Sequence, residues 1–303
     1  MAYKNRSVPF ELKLLRILNN RMDFTSDQQK YYLYKEKGYE GEVQFDLLTE
    51  QLQSDCLIIN DLFLEVNNTA FQLDTLIIFQ ATIFVFEVKN YEGDYRYRED
   101  RFEMINGKII KDPLEQIKRS HSLLLQLFQK LGISQSIDAY VVFVNPEFFL
   151  YEAPIGKPIF YPPQLKQLMR KLNNEKSNIS SRHKKIADKL ISLHQVVSPY
   201  ANLKIPAYDF KKLRKGVTCF VCDSLSCSYC NGKIVCGECG HVGDIESAVL
   251  RSVAEIRLLF SDMKITTNCV YEWCGIIDSK KMIRRILKEN FKPIGDRQLR
   301  YFE

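Results

Sequence analysis

The 303-residue chain is 46% hydrophobic and 12% aromatic, a globular composition with room for a sizeable core and more than one domain. Its longest apolar runs are strand-length and broken by charge, which leaves no candidate membrane span, and MAYKNRSVPFELKLL lacks the features of a secretory signal. The formal charge of +6 is uneven: Glu40 to Glu103 holds 14 acidic and 4 basic residues, and Lys166 to Lys189 holds 8 basic and 2 acidic. The chain therefore reads as cytoplasmic, with an acidic centre suited to cations and basic flanks suited to a polyanion.

In chain order, the first 39 residues predict helix, with Leu14, Ile17 and Leu18 at helical spacing. From Gly41, Val43, Phe45, Leu48 and Leu52 fall on one helical face. CLIIN, a turn, DLFLEV, a turn at Asn67-Asn68, AFQLDTLIIF and TIFVFEVKN predict successive strands, rich in Ile, Val and Phe. A polar loop containing Gly93 and Gly107 follows. DPLEQIKRSHSLLLQLFQKL then predicts a helix with Pro113 in its first turn, and AYVVFV (139–144) a buried strand. Gln164 to Leu172 and Arg182 to Gln195 read as basic helices, and Ser198 to Gly216, with two prolines and five basic residues, as a linker.

The strands carry the first chemical signal. If the chain reverses at Gln80-Ala81, Ile78 faces Ile83, Leu76 faces Val85, and Asp74 faces Glu87, although Gln80-Ala81 is poor chemistry for a tight hairpin turn. Two carboxylates opposed on a buried apolar face repel unless a cation compensates them. Mg²⁺ favours one or two carboxylates completed by water and phosphate oxygens. Lys89, two residues beyond Glu87, emerges on the same face, where its ammonium can stabilise charge developing on a phosphate. An isolated Glu-x-Lys is ordinarily a solvated surface pair; here the surrounding strand is apolar and Asp74 falls into register.

Gly41-Glu42 on a helix, Asp74 in QLDTLII, Glu87-Val88-Lys89-Asn90 after an apolar strand, and Asp112-Pro113-Leu114-Glu115-Gln116 opening a helix together resemble the NERD family, a nuclease-related domain of the PD-(D/E)XK superfamily. The resemblance implies a restriction-endonuclease-like α/β fold, a mixed sheet flanked by helices. It implies that Asp74 and Glu87 bind Mg²⁺ or Mn²⁺, that Lys89 is the catalytic lysine, and that Glu42 and Gln116 complete the site. Asp112 stands where the family more often has Asn, and either residue caps a helix well.

Cys219-x2-Cys222 and Cys236-x2-Cys239 are two knuckles of the kind that hold structural Zn²⁺. Cys227 and Cys230 lie between them, so a shifted set is the competing assignment, with His241 close enough to substitute. NGKIVCGECGH resembles the second half of a zinc ribbon, which favours Cys219, Cys222, Cys236 and Cys239. Such ribbons also accompany some NERD proteins. Cys56, Cys269 and Cys274 read as small core residues.

Beyond the ribbon, Asp244 to Phe260 predicts a helix. The following stretch resembles a helix-turn-helix, with Thr266-Thr267 and Ser279 as caps, Gly275 as breaker, and Lys280, Lys281, Arg284 and Arg285 on the second helix. The expected organisation is a helical segment (1–39), a nuclease-like domain (40–150), a basic helical region and linker (151–216), a zinc ribbon (217–242) and a helical domain (243–303). The expected function is metal-dependent hydrolysis of DNA phosphodiester bonds, with ribbon and helices as docking modules. A non-catalytic DNA-binding or regulatory protein that keeps the fold is the alternative, and a protein–protein adaptor using the ribbon is a weaker one. DNA is the expected partner, with no membrane and no small-molecule cofactor. Oligomeric state stays open, since a double-strand cut commonly needs two active sites.

Overall fold

The structure is a computed structural model that describes residues 2–195, 203–296 and 300–303. The chain divides into two units, Met1–Phe10 with Leu33–Asn202 and Glu11–Tyr32 with Leu203–Glu303. Among the described residues no helix is long and apolar enough to cross a membrane.

The first unit is built on the β-branched and aromatic runs of the sequence. β1 (Leu57–Val66), β2 (Thr69–Ile78), β3 (Thr82–Lys89), β6 (Ser136–Phe143) and β8 (Ile159–Phe160) form a sheet of order β1-β2-β3-β6-β8. The first two pairings are antiparallel and the last two parallel. Alternation splits the core. Ile83 and Val85 of β3 join Leu76, Ile78 and Val141 on one face, covered by α3 (Pro113–Leu131) and α5 (Ser181–Ser192). Phe84, Phe86 and Val88 point the other way, toward Phe45 of α2 (Ser26–Thr49) and Leu168 and Leu172 of α4 (Leu165–Asn173). The result is a mixed α/β sheet flanked by helices, as the sequence predicts. The basic helices form α4 and α5, each burying an apolar stripe.

Three local expectations are corrected. CLIIN and DLFLEV are not two strands separated by a turn: β1 runs through both, with Asp61 at φ 55 where the turn was expected. The inward residues change parity there, from Leu57 and Ile59 to Leu62, Leu64 and Val66, and β2 changes in step, from Phe71 and Leu73 to Leu76 and Ile78. A short polar residue tolerates this left-handed conformation, so the strand kinks and continues. The polar loop after β3 instead forms β4 (Gly93–Arg98) and β5 (Arg101–Met104), which pair with β7 (Phe148–Tyr151) in a second sheet of order β5-β4-β7. Phe148 of β7 stacks on Phe143 of β6, the rings 3.9 Å apart and nearly parallel, so aromatic packing supplies what charged residues concealed. Part of the expected linker, 198–202, lies outside the described residues. Beyond it Tyr208 donates to the Leu259 carbonyl at 2.7 Å and Phe210 stacks on Trp273 at 5.4 Å, so this stretch is packed.

Gln80-Ala81 does close the β2–β3 hairpin, without positive φ at either residue. Side chains stand in for good turn chemistry: Gln135 donates to the Gln80 carbonyl at 3.0 Å, and Ser177 accepts from the Gln80 N–H at 3.0 Å. α2 itself runs unbroken from Ser26 to Thr49, through the expected 39/40 boundary.

The second unit contains α1 (Phe10–Arg21), whose Leu12, Leu14, Leu15 and Leu18 are buried. A three-stranded ribbon follows, β9 (Cys227–Cys230), β10 (Lys233–Cys236) and β11 (Val242–Asp244), then α6 (Ile245–Leu259), α7 (Thr267–Cys274) and α8 (Lys280–Asn290). Asp244, Thr266 and Ser279 cap the three helices through backbone N–H groups, as their residue types predict. Gly275 ends α7 at φ 64, and an added Cβ would lie 3.3 Å from the Gly216 nitrogen, so both conformation and space select glycine. Pro293–Ile294 and Tyr301–Phe302 add a small β-ribbon, which the sequence reading did not foresee. The Arg21 guanidinium is fully buried over the Trp273 ring at 4.1 Å and pairs with Glu255 at 2.5 Å, tying α1 to the helices of its own unit.

Candidate active site and zinc centre

The β2–β3 register pairs Ile78 with Ile83 and Leu76 with Val85 and ends at Thr75 with Phe86. One step further would set Asp74 against Glu87, but there the backbone ladder gives way. The Val88 N–H donates to Asp74 Oδ2 at 2.8 Å, so a side chain takes the place of a strand carbonyl. On its other side Asp74 meets the kink at Asp61, again without a ladder pair. Its own carbonyl accepts from Arg6 at 2.7 Å.

Asp74 and Glu87 are both buried. Lys89 Nζ donates to Glu87 Oε1 at 2.6 Å and to Gln116 Oε1 at 3.2 Å, and the Gln116 amide also donates to Glu87 Oε1. Gln116 reaches this point because Asp112 caps α3, its Oδ1 accepting from the Leu114 N–H at 2.8 Å, with Pro113 at the first position. Four of the expected site residues therefore meet at one end of the sheet. Glu42 approaches from α2, whose backbone lies close because Gly41 has no side chain: a Cβ there would fall 2.4 Å from Asn90 Cβ.

Sequence reasoning missed Arg6. Its extended segment lies beside β1, with Lys4 bridged to Ile59, and its guanidinium side chain is 3% exposed. It donates to Glu42 Oε2 at 2.6 Å and, in fork geometry, to both oxygens of Asp46 at 2.8 and 2.9 Å. No local pattern pairs Arg6 with acids some forty residues away; the only signal was the acidic excess itself.

Burial, reinforced by the charge on Asp74, pushes the Glu42 carboxyl up to about 8, although Arg6 opposes this. Burial and Asp74 likewise push Glu87 up to about 7, against Lys89. Burial raises Asp74 too, countered by Lys89, the Val88 N–H and Arg6. For Lys89 burial favours the neutral form, but Glu87 and Asp74 overcome it and hold the ammonium above its ordinary pKa. Fully ionised, Glu42, Asp46, Asp74 and Glu87 face Arg6 and Lys89, four negative charges against two positive. One divalent cation would neutralise the remainder, and two oxygen ligands plus water and phosphate suit Mg²⁺ or Mn²⁺.

The four predicted zinc ligands do converge. Cys219 Sγ lies 3.6 Å from Cys239 Sγ and Cys222 Sγ 3.6 Å from Cys236 Sγ, and all four lie within 4.8 Å of one another. A tetrahedral zinc with Zn–S bonds of about 2.3 Å spaces its sulfurs roughly 3.8 Å apart, so the set is compatible with a zinc ribbon. The Cys239 backbone N–H, the main cause, pulls the Cys236 thiol down to about 6, while hydrogen bonds among the thiols leave Cys222 and Cys239 above the ordinary range. Cys227 and Cys230 stay outside this set: Cys227 is buried and points to the Ser224 carbonyl, and Cys230 is exposed. His241 is outside it as well, lying against the Phe220 ring. Cys274 is buried and Cys56 and Cys269 half-buried, none of them in the cluster.

Compared with known proteins, residues 37–144 match the family model of the nuclease-related domain, NERD. No curated protein and no solved structure matches.

Proposed function

Because this chain carries a nuclease-related domain, we propose that it is a metal-dependent nuclease that hydrolyses DNA phosphodiester bonds at Asp74, Glu87 and Lys89. The observation that carries the reading is the burial of Asp74 and Glu87 beside the Lys89 ammonium, in a cluster whose four carboxyl groups face only two cationic side chains. Asp74 and Glu87 would hold Mg²⁺ or Mn²⁺, with Glu42 behind them. When bound, such an ion would polarise a phosphate oxygen and make a bound water more acidic.

The chain's own groups do the rest. Asp74 is held by the Val88 N–H, which fixes one ligand oxygen in the frame of the sheet. Lys89 stays charged, and from its position beside Glu87 it would orient the attacking water and stabilise charge growing on the phosphate oxygens. Gln116 orients both Glu87 and Lys89. In the second unit, the exposed Lys281, Arg284, Arg285 and Lys288 of α8 would meet the phosphate backbone, making binding weaken steeply with salt. The zinc ribbon would serve as a second docking module.

Cleavage of plasmid, linear and single-stranded DNA by wild type and Lys89→Ala, in Mg²⁺, Mn²⁺ and metal-free buffer, tests this. Metal-dependent cleavage that falls by about 10²-fold or more in Lys89→Ala is expected. Equal activity in both proteins would sink the assignment. DNA binding without cleavage in either would make the chain a DNA-binding protein that retains a nuclease fold.

A further inference from the structure

A cavity of about 330 Å³ in the first unit has no part in the hydrolytic step. Tyr34 and Lys37 of α2, Tyr91 and Tyr95 around the start of β4, and Lys108 and Lys111 before α3 line it. Its size sits at the small end of ligand sites, about 300–1,000 Å³.

Three properties define what it fits. The first is aromatic: Tyr91 and Tyr95 stack at 5.3 Å with an interplanar angle of 20°, and Tyr34 leaves 65% of its surface in water on the same cavity. Tyrosine rings at a cavity mouth are stacking platforms for planar groups, and every nucleobase has a face to offer. The second is charge. Lys37 is ion-paired with Glu92, whereas Lys108 and Lys111 are exposed and in no ion pair among the described residues. The third is adjacency. Tyr91 follows Lys89 by two residues and feels the charges of Lys89 and Glu87, while Lys111 acts on Glu87 itself. The cavity thus adjoins the carboxylate centre along the chain, since Asn90 and Tyr91, which follow Lys89 directly, line it.

We propose that this cavity binds one nucleotide of a single strand beside the phosphate to be cleaved, with the base against Tyr34 and Tyr91 and a phosphate at Lys108 and Lys111. The proposal rests on the nuclease reading for its placement along the strand and narrows that reading to strands carrying an unpaired base. A base inside a duplex is stacked on both faces and cannot enter. Because stacking is indifferent to base identity and lysine contacts phosphate as a point charge, recognition is by strandedness and not by sequence.

The test measures binding, not turnover, in Ca²⁺, which occupies oxygen sites of this kind with looser geometry. Labelled oligothymidylate, the same backbone with abasic residues, and a duplex are titrated with wild type, Tyr34→Ala and Tyr34→Phe. Tyr34 is exposed, so neither substitution threatens the fold. Oligothymidylate should bind more tightly than the duplex and lose roughly 5- to 150-fold in Tyr34→Ala, which is about 1–3 kcal/mol of stacking. Tyr34→Phe should recover most of the loss, and the abasic strand should not distinguish the variants. Ultraviolet crosslinking of a 5-iodouracil strand should label a peptide containing Tyr34 or Tyr91. Wild-type affinity in Tyr34→Ala, equal losses on the abasic strand, or crosslinks confined to the second unit would each overturn the proposal. Cleavage by wild type but not Lys89→Ala is scored separately, so either idea can fail while the other stands.

Discussion

The Asp74 carboxylate accepts the Val88 backbone N–H at 2.8 Å, so one carboxylate oxygen takes the place of a missing sheet hydrogen bond. Only its other lone pairs and Oδ2's partner oxygen remain for a cation. The site is therefore held by the same backbone that forms the core, with Val88 buried on the opposite face beside Phe86.

Arg6 is the counter-charge of this arrangement, and removing it leaves buried carboxylates uncompensated. Arg6→Met should destabilise the first unit by about 3–5 kcal/mol, the cost of breaking a buried ion pair from one side. Arg6→Lys should recover only part of it, because an ammonium cannot fork across Asp46 while also reaching Glu42. Urea unfolding followed by circular dichroism measures both; a loss below 1 kcal/mol in Arg6→Met would contradict the assigned role.

The raised carboxyls have a pH signature with a definite sign. Glu87 and Glu42 sit at about 7 and about 8, above their unfolded values, so folding takes up protons in between. Their contribution is fully present below the unfolded pKa and lost as pH rises through 7 to 8. Magnesium-free protein with its zinc retained should lose on the order of a few kcal/mol between pH 5 and pH 8.5. Added Mg²⁺ should reverse the loss at high pH, and Glu87→Gln should flatten the profile. A stability that climbs over this range in magnesium-free buffer would be incompatible with the assigned environments.

One zinc per chain is expected. Cys219→Ser or Cys239→Ser should lose it and unfold the ribbon, whose short strands bury too little to fold without metal. Cys230→Ser should retain it, since Cys230 is exposed outside the tetrathiolate set. Metal analysis by mass spectrometry decides; two zinc ions per chain would show that Cys227 and Cys230 ligate as well.

Gly41→Ala should cost about 1–3 kcal/mol and lower activity together, because the new methyl meets Asn90 Cβ at 2.4 Å and must push α2 away from the sheet end. Asn90 donates to the Lys37 carbonyl at 2.7 Å, so the same push breaks that bond. Thermal unfolding with a cleavage assay separates the two effects, and a variant as stable as wild type would show that the helix has slack.

What was legible in the sequence was whatever a short window could hold. Alternating apolar residues gave the β2–β3 register, and Asp112 and Ser279 gave helix starts. The change of inward parity around Asn60-Asp61 was also visible, and it was misread as a turn because a window cannot tell a kinked strand from a broken one. The second sheet was hidden because Arg96, Arg98, Arg101 and Glu103 dilute the apolar signal of Tyr95 and Phe102. Of the candidate site, the register reading set Asp74 against Glu87 with Lys89 beside them, a pair the observed ladder stops one step short of, whereas Glu42 and Gln116 came only from family resemblance. Arg6 followed from neither, since its partners are set by packing between segments 36 to 69 residues apart.

That separation also bears on the order in which the site is assembled. Arg6 binds Glu42 and Asp46 on α2 and the Asp74 carbonyl on β2, so it can seat only after helix and hairpin have docked. Contacts of such long span form after local ones, because loop closure precedes their reward. The acidic cluster is thus electrostatically frustrated in any partly folded chain, and the segment around Arg6 is among the last to find its place.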